Sequence, residues 1–268
     1  MAFPDCIHDA AGRRTRTRMR FGLTAITTPP WAQDIGVTSS PEAIQRILDP
    51  PGAGLIVLDL PAGHAPLPAR NSAEWTIQRH TRQLHLKSGN DPVEQWPKTR
   101  QKQLKRANRE GMVAEVSNDL ELLVRLHQAS RERKHIRSNP IELRQLLRHL
   151  LRENDTQALV VRDAHGDPIA GGVFHGAGDG RCIYGFGGQL RNGEAGRSSR
   201  ATILLIATAM RRAVDLGQYT FDFGGSQDKG VDQFYSEFGA HKIPKYRIVR
   251  MHHFWKPLLK LRRPDLFP

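Results

Sequence analysis

Apolar positions change their period along the chain, and the change divides it into elements. Leu55-Ile56-Val57-Leu58, at the centre of Gly54–Leu60, is a continuous apolar run of strand length. Trp75–Leu86 places Trp75, Ile77, Leu84 and Leu86 in alternation around a polar middle, as in a half-exposed strand. Helical spacing appears at Pro41–Leu48, with Ser40 as a cap, and returns at Asp91–Gly111, Asn118–Arg133 and Pro140–Arg152. Three strands with hairpin punctuation follow: Ala158–Asp163, Pro168–His175 and Arg181–Gly187. Ser198–Leu216 has the widest apolar face, from Ile203 to Val214, and Gly217 ends it. A short strand (Tyr219–Phe223), a helical turn with Phe234 and Phe238 on one face, and a strand (Tyr246–Met251) complete the series. No internal repeat is evident. The order predicts an α/β fold with a mixed sheet.

Composition narrows the function. Forty Lys and Arg stand against 27 Asp and Glu, a net charge of +13. That excess suits polyanionic partners such as RNA, an anionic membrane face or a phosphate-rich ligand, or it is an arginine-rich surface with no dedicated partner. No apolar run is long enough to span a bilayer. The arginine-rich start, including Arg13-Arg14, lacks the apolar stretch of a secretory or twin-arginine signal, so a cytoplasmic location is expected. Cys6 and Cys182 are the only cysteines, which excludes a disulfide framework and a thiolate zinc cluster. The twelve histidines form no H-x-x-x-H or H-E-x-x-H pair, and no metal is expected.

Residues 221–240 are the most informative segment. Phe221, Asp222, Phe223, Gly225, Ser226, Gly230, Phe234, Tyr235, Phe238, Gly239 and Ala240 fill a pattern in which a strand F-D-F-x-G-S leads to G-x-x-x-F-[KYF]-x-x-F-G-[AG]. This resembles the closing motif of the Fem-type (FemAB/FemX-like) branch of the GNAT acyltransferases. Thr28-Pro29-Pro30-Trp31-Ala32-Gln33-Asp34-Ile35-Gly36 is similar to an early segment of that branch, and Thr99–Ala107 is similar to its basic helix. The strands of Ala158–Phe186 look like its central sheet. The resemblance covers residues 21–251. It implies a GNAT-like mixed sheet flanked by helices, in two GNAT-like lobes of which the first is degenerate. Residues 1–20 then read as a disordered basic arm, 21–97 as the first lobe, 98–251 as the second and 252–268 as a tail.

The resemblance implies an N-acyltransferase that forms an amide between an activated acyl group and an amine acceptor. Acyl-CoA is the expected co-substrate, no cofactor is permanently bound, and the acceptor is a small or lipid-linked amine. Asp222 or Tyr235 would assist proton removal, and backbone N–H groups around Gly224-Gly225-Ser226 would hold the oxyanion. The glycines, hydroxyls and arginines of Gly193–Thr202 make a candidate anion site at a helix start, with Arg197, Ser198, Ser199 and Thr202 as donor-binding residues. An ordinary helix capped by Ser198 or Ser199 is the competing reading. Trp31, Asp34, Arg100, Tyr184 and Lys229 are candidates for substrate binding. Tyr235 stands where tRNA-dependent members often have lysine. Two alternatives remain open: an aminoacyl-tRNA-dependent aminoacyltransferase, and a non-catalytic nucleic-acid-binding protein using the basic helix 98–109. The aromatic-basic stretch Phe254–Arg263 suggests either peripheral contact with an anionic membrane or packing back on the domain, with Pro257 breaking any long helix.

Overall fold

A computed structural model describes residues 6–8, 14–20, 23–28, 32–35, 44, 53–69, 71–136, 138–190, 196–225 and 228–268. In chain order the strands are β1 (Cys6–His8), β2 (Arg14–Arg20), β3 (Leu23–Thr27), β4 (Leu55–Asp59), β5 (Glu74–His85), β6 (Val113–Val116), β7 (Thr156–Arg162), β8 (Pro168–Gly176), β9 (Arg181–Gln189), β10 (Thr220–Asp222) and β11 (His241–Met251). The α-helices are α1 (Lys98–Arg109), α2 (Leu120–Glu132), α3 (Pro140–Leu150), α4 (Arg197–Asp215), α5 (Lys229–Ser236) and α6 (Lys256–Arg262). The expected helix at Pro41–Leu48 lies outside the described residues except for Ile44, which is helical and buried.

The chain forms two compact units. One comprises Met1–Thr81, Gly225–Gln227 and Lys242–Pro268, the other Arg82–Gly224 and Asp228–His241. The division at Thr81–Arg82 falls inside β5. In the first unit the strand order is β1-β2-β3-β4-β11, antiparallel except for the β3–β4 pair. The apolar run in β4 has a direct cause. Ile56 and Leu58 join Ile35, Ile44, Leu60 and Ile248 in one cluster, while Leu55 and Val57 join Val249, Met251 and Leu266 in another. A strand buried on both faces has no polar side to alternate with. Within residues 1–20, read above as an unstructured arm, Cys6–His8 and Arg14–Arg20 are paired strands.

The second unit holds the site. Its strands run β5-β10-β9-β8-β7-β6, and β9–β10 is the parallel pair. Alternation along β7 explains its two covers: Leu159 and Val161 face a cluster with α1 and α4, whereas Ala158 and Val160 face α2 and α3. Helix α4, the crossover between β9 and β10, buries Ala201, Ile203–Ala207, Ala209, Met210 and Ala213, as its wide apolar face predicts. The helix expected over Asp91–Gly111 is interrupted. Pro92–Gln95 form a 3₁₀ turn capped by Asp91, and Trp96 and Pro97 are extended before α1 begins. A residue before proline is pushed out of the helical region, which separates the two pieces. The fold is a mixed α/β sheet flanked by helices.

Candidate active site

Strands β9 and β10 are parallel neighbours only briefly. Thr220, Phe221 and Asp222 pair with Arg181, Cys182 and Ile183. Strand β9 continues to Gln189, while β10 stops at Asp222 and turns through Gly224, whose φ is 71°. The carboxyl ends of parallel strands that part in this way are where α/β sheets accept ligands.

The glycines of Gly185-Phe186-Gly187-Gly188 let neighbours approach this end of β9. A Cβ on Gly188 would lie 2.2 Å from the backbone carbon of Leu126, so α2 rests directly on the strand. A Cβ on Gly187 would lie 2.0 Å from the Tyr184 hydroxyl, which therefore sits over that glycine. The neighbouring Gln189 N–H donates to Ser130 Oγ at 3.0 Å, and the Thr202 hydroxyl reaches Gln189 Oε1 at 3.1 Å. Thus α2, the end of β9 and the first turn of α4 converge.

Among the described residues, no side chain caps the start of helix α4. Its N-cap is Gly196 (φ 80°), and neither Ser198 nor Ser199 caps it, contrary to the ordinary-helix reading. The Ser198 hydroxyl instead donates to Leu190 O at 2.6 Å, and Thr202 Oγ1 donates to Ser198 O at 2.9 Å. Arg197 pairs with Asp163 at 2.5 Å. Burial acts upward on the Asp163 carboxyl, but the N–H groups of Asp167 and His165 together with Arg197 outweigh it and hold it below the usual range. Ser199 makes no such tie to a described residue; 191–195 lie outside the described residues. An uncapped helix N-terminus leaves N–H groups and positive dipole available to an anion.

Tyr184 and Tyr235 meet edge to face with ring centroids 6.3 Å apart. Tyr184 stacks on Phe174 at 4.8 Å, and Tyr235 lies against Phe223 at 4.9 Å, just past β10. Burial is the main cause that pushes both phenols well above the ordinary tyrosine value, with Tyr235 adding to the effect on Tyr184 and Asp228 to that on Tyr235. Both remain protonated at working pH, which makes them proton and hydrogen-bond donors. Tyr235 is therefore poorly suited to the base role considered for it above.

Asp222 is buried and heavily engaged. It accepts from Gln83 Nε2 at 2.8 Å and from the Gly224 N–H at 2.9 Å, and Arg181 Nη1 lies 3.5 Å away. Arg181 is also bound to Asp179 at 2.6 Å. This geometry fastens the turn after β10 to the sheet. Arg100 is likewise committed. It is buried, ion-paired with Glu237, donates to Gln103 at 2.7 Å and to Phe234 O at 3.4 Å, and lies over the Phe234 and Phe238 rings. Burial lowers its pKa, opposed by Glu237. Arg100 holds α5 in place, as does a bidentate pair from Arg82 to Asp232 at 2.8 Å. Lys134 adds an ion pair to Asp228, the α5 N-cap, at 2.8 Å.

The remaining candidates are dispersed. Lys229 opens α5 and is exposed. Asp34 is buried in the first unit. Trp31 and Ser226 lie outside the described residues. Gln189, Ser130 and Arg82 were not picked out from the sequence. The glycine-rich run in β9 was the available signal, because glycine within a strand marks close approach.

A family model described as an acetyltransferase (GNAT) domain matches residues 97–235. No curated protein matches the chain. Its fold is shared with the crystal structure of FemX, with a TM-score of 0.66 at 14% identity, covering 93% of this chain and 86% of that one. The C-terminal domain of a putative lysylphosphatidylglycerol synthetase from Agrobacterium fabrum gives 0.62 at 12% identity, covering 97% and 87%. L-PGS from Bacillus licheniformis gives 0.61 at 11%, covering 97% and 88%. The family match spans just over half the chain and runs from the start of α1 through the parting of β9 and β10 to Tyr235, so this protein belongs to the GNAT acetyltransferase family and is a transferase.

Proposed function

We propose that the protein is an N-acyltransferase that takes its acyl group from an acyl-CoA and passes it to an amine. The observation that carries the choice of donor is the uncapped first turn of α4 beside the carboxyl end of β9. The backbone N–H groups of that first turn and the helix dipole suit a pyrophosphate there, with the Ser199 hydroxyl in the same turn. The thioester then extends toward the parting strands and the two tyrosines.

In this mechanism the neutral amine attacks the thioester carbonyl to give a tetrahedral oxyanion, while the Gly224 N–H is taken by Asp222 Oδ1. Collapse breaks the C–S bond, the thiolate takes the proton of Tyr235 or Tyr184, and the amine proton leaves to water. The phenol regains its proton from solvent. Asp222 acts as a positioning residue that holds the turn.

Aminoacyl-tRNA is the second reading, and one observation favours it. Lys98, Lys102, Lys105 and Arg109 lie on one exposed face of α1, a cationic stripe suited to phosphates. The test is a thermal-shift titration with coenzyme A, acetyl-CoA and tRNA. The acyl-CoA reading expects a concentration-dependent rise with coenzyme A and acetyl-CoA, reduced at least about tenfold in apparent affinity by Ser199→Asp, whose carboxylate would repel phosphate. No shift with coenzyme A, together with binding of aminoacyl-tRNA, would replace the donor. Equal binding of charged and uncharged tRNA without turnover would favour a binding protein.

A further inference from the structure

The C-terminal segment has two apolar faces, and only one is covered. A 3₁₀ turn (His253–Trp255) leads directly into α6, and Pro257 occupies the first turn, where its missing N–H costs nothing. Proline therefore sits in the first turn of a helix of seven residues, and no long helix runs through it. Trp255 and Leu259 pack against the cluster of Leu55, Val57, Val249, Met251 and Leu266. Lys256 Nζ donates to Ser72 O at 3.0 Å and lies 5.2 Å from the Trp75 ring centre. These contacts fix which way the helix faces within the first unit.

A second set of positions, Phe254, Leu258 and Leu261, spaced i, i+4, i+7, is 72%, 42% and 83% exposed. Three large apolar side chains in one stripe are unusual on a surface facing only water. Lys260 and Arg262 are exposed beside the stripe, without a carboxylate partner among the described residues. Arg263 is tied to Asp265 at 2.8 Å, and no Asp or Glu occurs from His252 to Arg263. An apolar stripe with cations at its border and no anion within it is the pattern of a helix lying in a bilayer interface, where long basic side chains reach up to the headgroups.

We infer that the exposed face of α6 docks the protein on an anionic membrane surface, with Phe254, Leu258 and Leu261 entering the headgroup–acyl boundary and Lys260 and Arg262 meeting lipid phosphates. The inference is independent of the acyl donor and of the second unit.

The test is co-sedimentation of the full-length protein with vesicles of equimolar phosphatidylglycerol and phosphatidylcholine, and with phosphatidylcholine alone. Because the whole chain is basic, charge alone would give some binding, so the decisive variant keeps the charge unchanged. Phe254→Ser/Leu258→Ser/Leu261→Ser, all exposed positions, is expected to keep the wild-type melting temperature and weaken binding to mixed vesicles by about tenfold or more. Lys260→Glu/Arg262→Glu is expected to weaken it by about tenfold and flatten its salt dependence. Phosphatidylcholine alone should bind at least about tenfold less than the mixture. Wild-type protein that stays in the supernatant with mixed vesicles at low salt overturns the inference. So does a serine variant that binds like wild type. A wild-type dimer that becomes monomeric in the serine variant, without vesicle binding by either, overturns it in favour of a second copy as the occupant.

Discussion

At the scale of single residues, the tyrosine pair carries the most chemistry. A base must lose its proton near working pH, and burial drives Tyr184 and Tyr235 the other way. Their hydroxyls make no hydrogen bond to a described residue, so the protons remain available to a ligand. Tyr235→Phe removes a proton donor while keeping the ring against Phe223. It is expected to lower kcat by about a hundredfold with little change in melting temperature, as checked by steady-state kinetics and calorimetry. The pH profile supplies the sign. A phenol held above its ordinary value of 10.0 stays protonated through that pH, so wild-type kcat should show no fall at pH 10 attributable to Tyr235. Stability linked to the same groups is fully present below pH 10 and declines as pH rises toward their folded values. Cys182 moves in the same direction. Burial pushes its thiol up to about 12 from 9.0, and it sits in the core as an inert small apolar group.

At the scale of elements, close approach of backbones shapes the site more than any side chain. Gly188 lets α2 rest on β9, and a methyl group there would overlap the backbone at Leu126. Gly188→Ala is therefore expected to cost about 1–3 kcal/mol of stability, measured by denaturant unfolding, and to lower activity by displacing the Gln189–Ser130 contact. Long amphipathic elements could be read directly from the sequence. The apolar face of α4 and the apolar run of β4 each had to be buried somewhere, and both are. Elements whose pattern conflicted with their charge were harder. Strand β2, Arg-Thr-Arg-Thr-Arg-Met-Arg, alternates with period two, yet its charge suggested an unstructured arm. Strand β6 is four residues long and mostly exposed, so it left almost no apolar signature. In the candidate site, the tyrosines and the α4 start were visible as residue types. The partners that decide their roles were not, because they lie far away in sequence: Glu237 is 137 residues from Arg100, and Gln83 is 139 from Asp222. Local pattern carries no information about such pairings.

At the scale of the whole molecule, the net charge of +13 is unevenly committed. Many arginines are bound internally, as Arg82, Arg100, Arg181, Arg197 and Arg247 are. The lysines of the α1 stripe face outward. If tRNA carries the acyl group, Lys98→Glu/Lys102→Glu/Lys105→Glu is expected to weaken tRNA binding and reduce the salt slope by about three, while coenzyme A binding is unaffected. Filter binding across a salt series measures it. A slope that does not change would separate the stripe from any donor.

The pairing of β4 with β11 reaches beyond the folded state. Asp59 and Arg247, joined at 2.8 Å, are 188 residues apart, so one edge of β4 waits until that intervening stretch has been made. During synthesis the run Leu55–Leu58, apolar on both faces, must stay unpaired on that side while the entire second unit is translated. The first unit is thus begun before the second and completed after it. Such long-range closure is slow and exposes a sticky strand edge in the interval. Ribosome-bound chains that end before β11 should therefore be the aggregation-prone species, and loss of β11 should disable the first unit while the second retains its own strands.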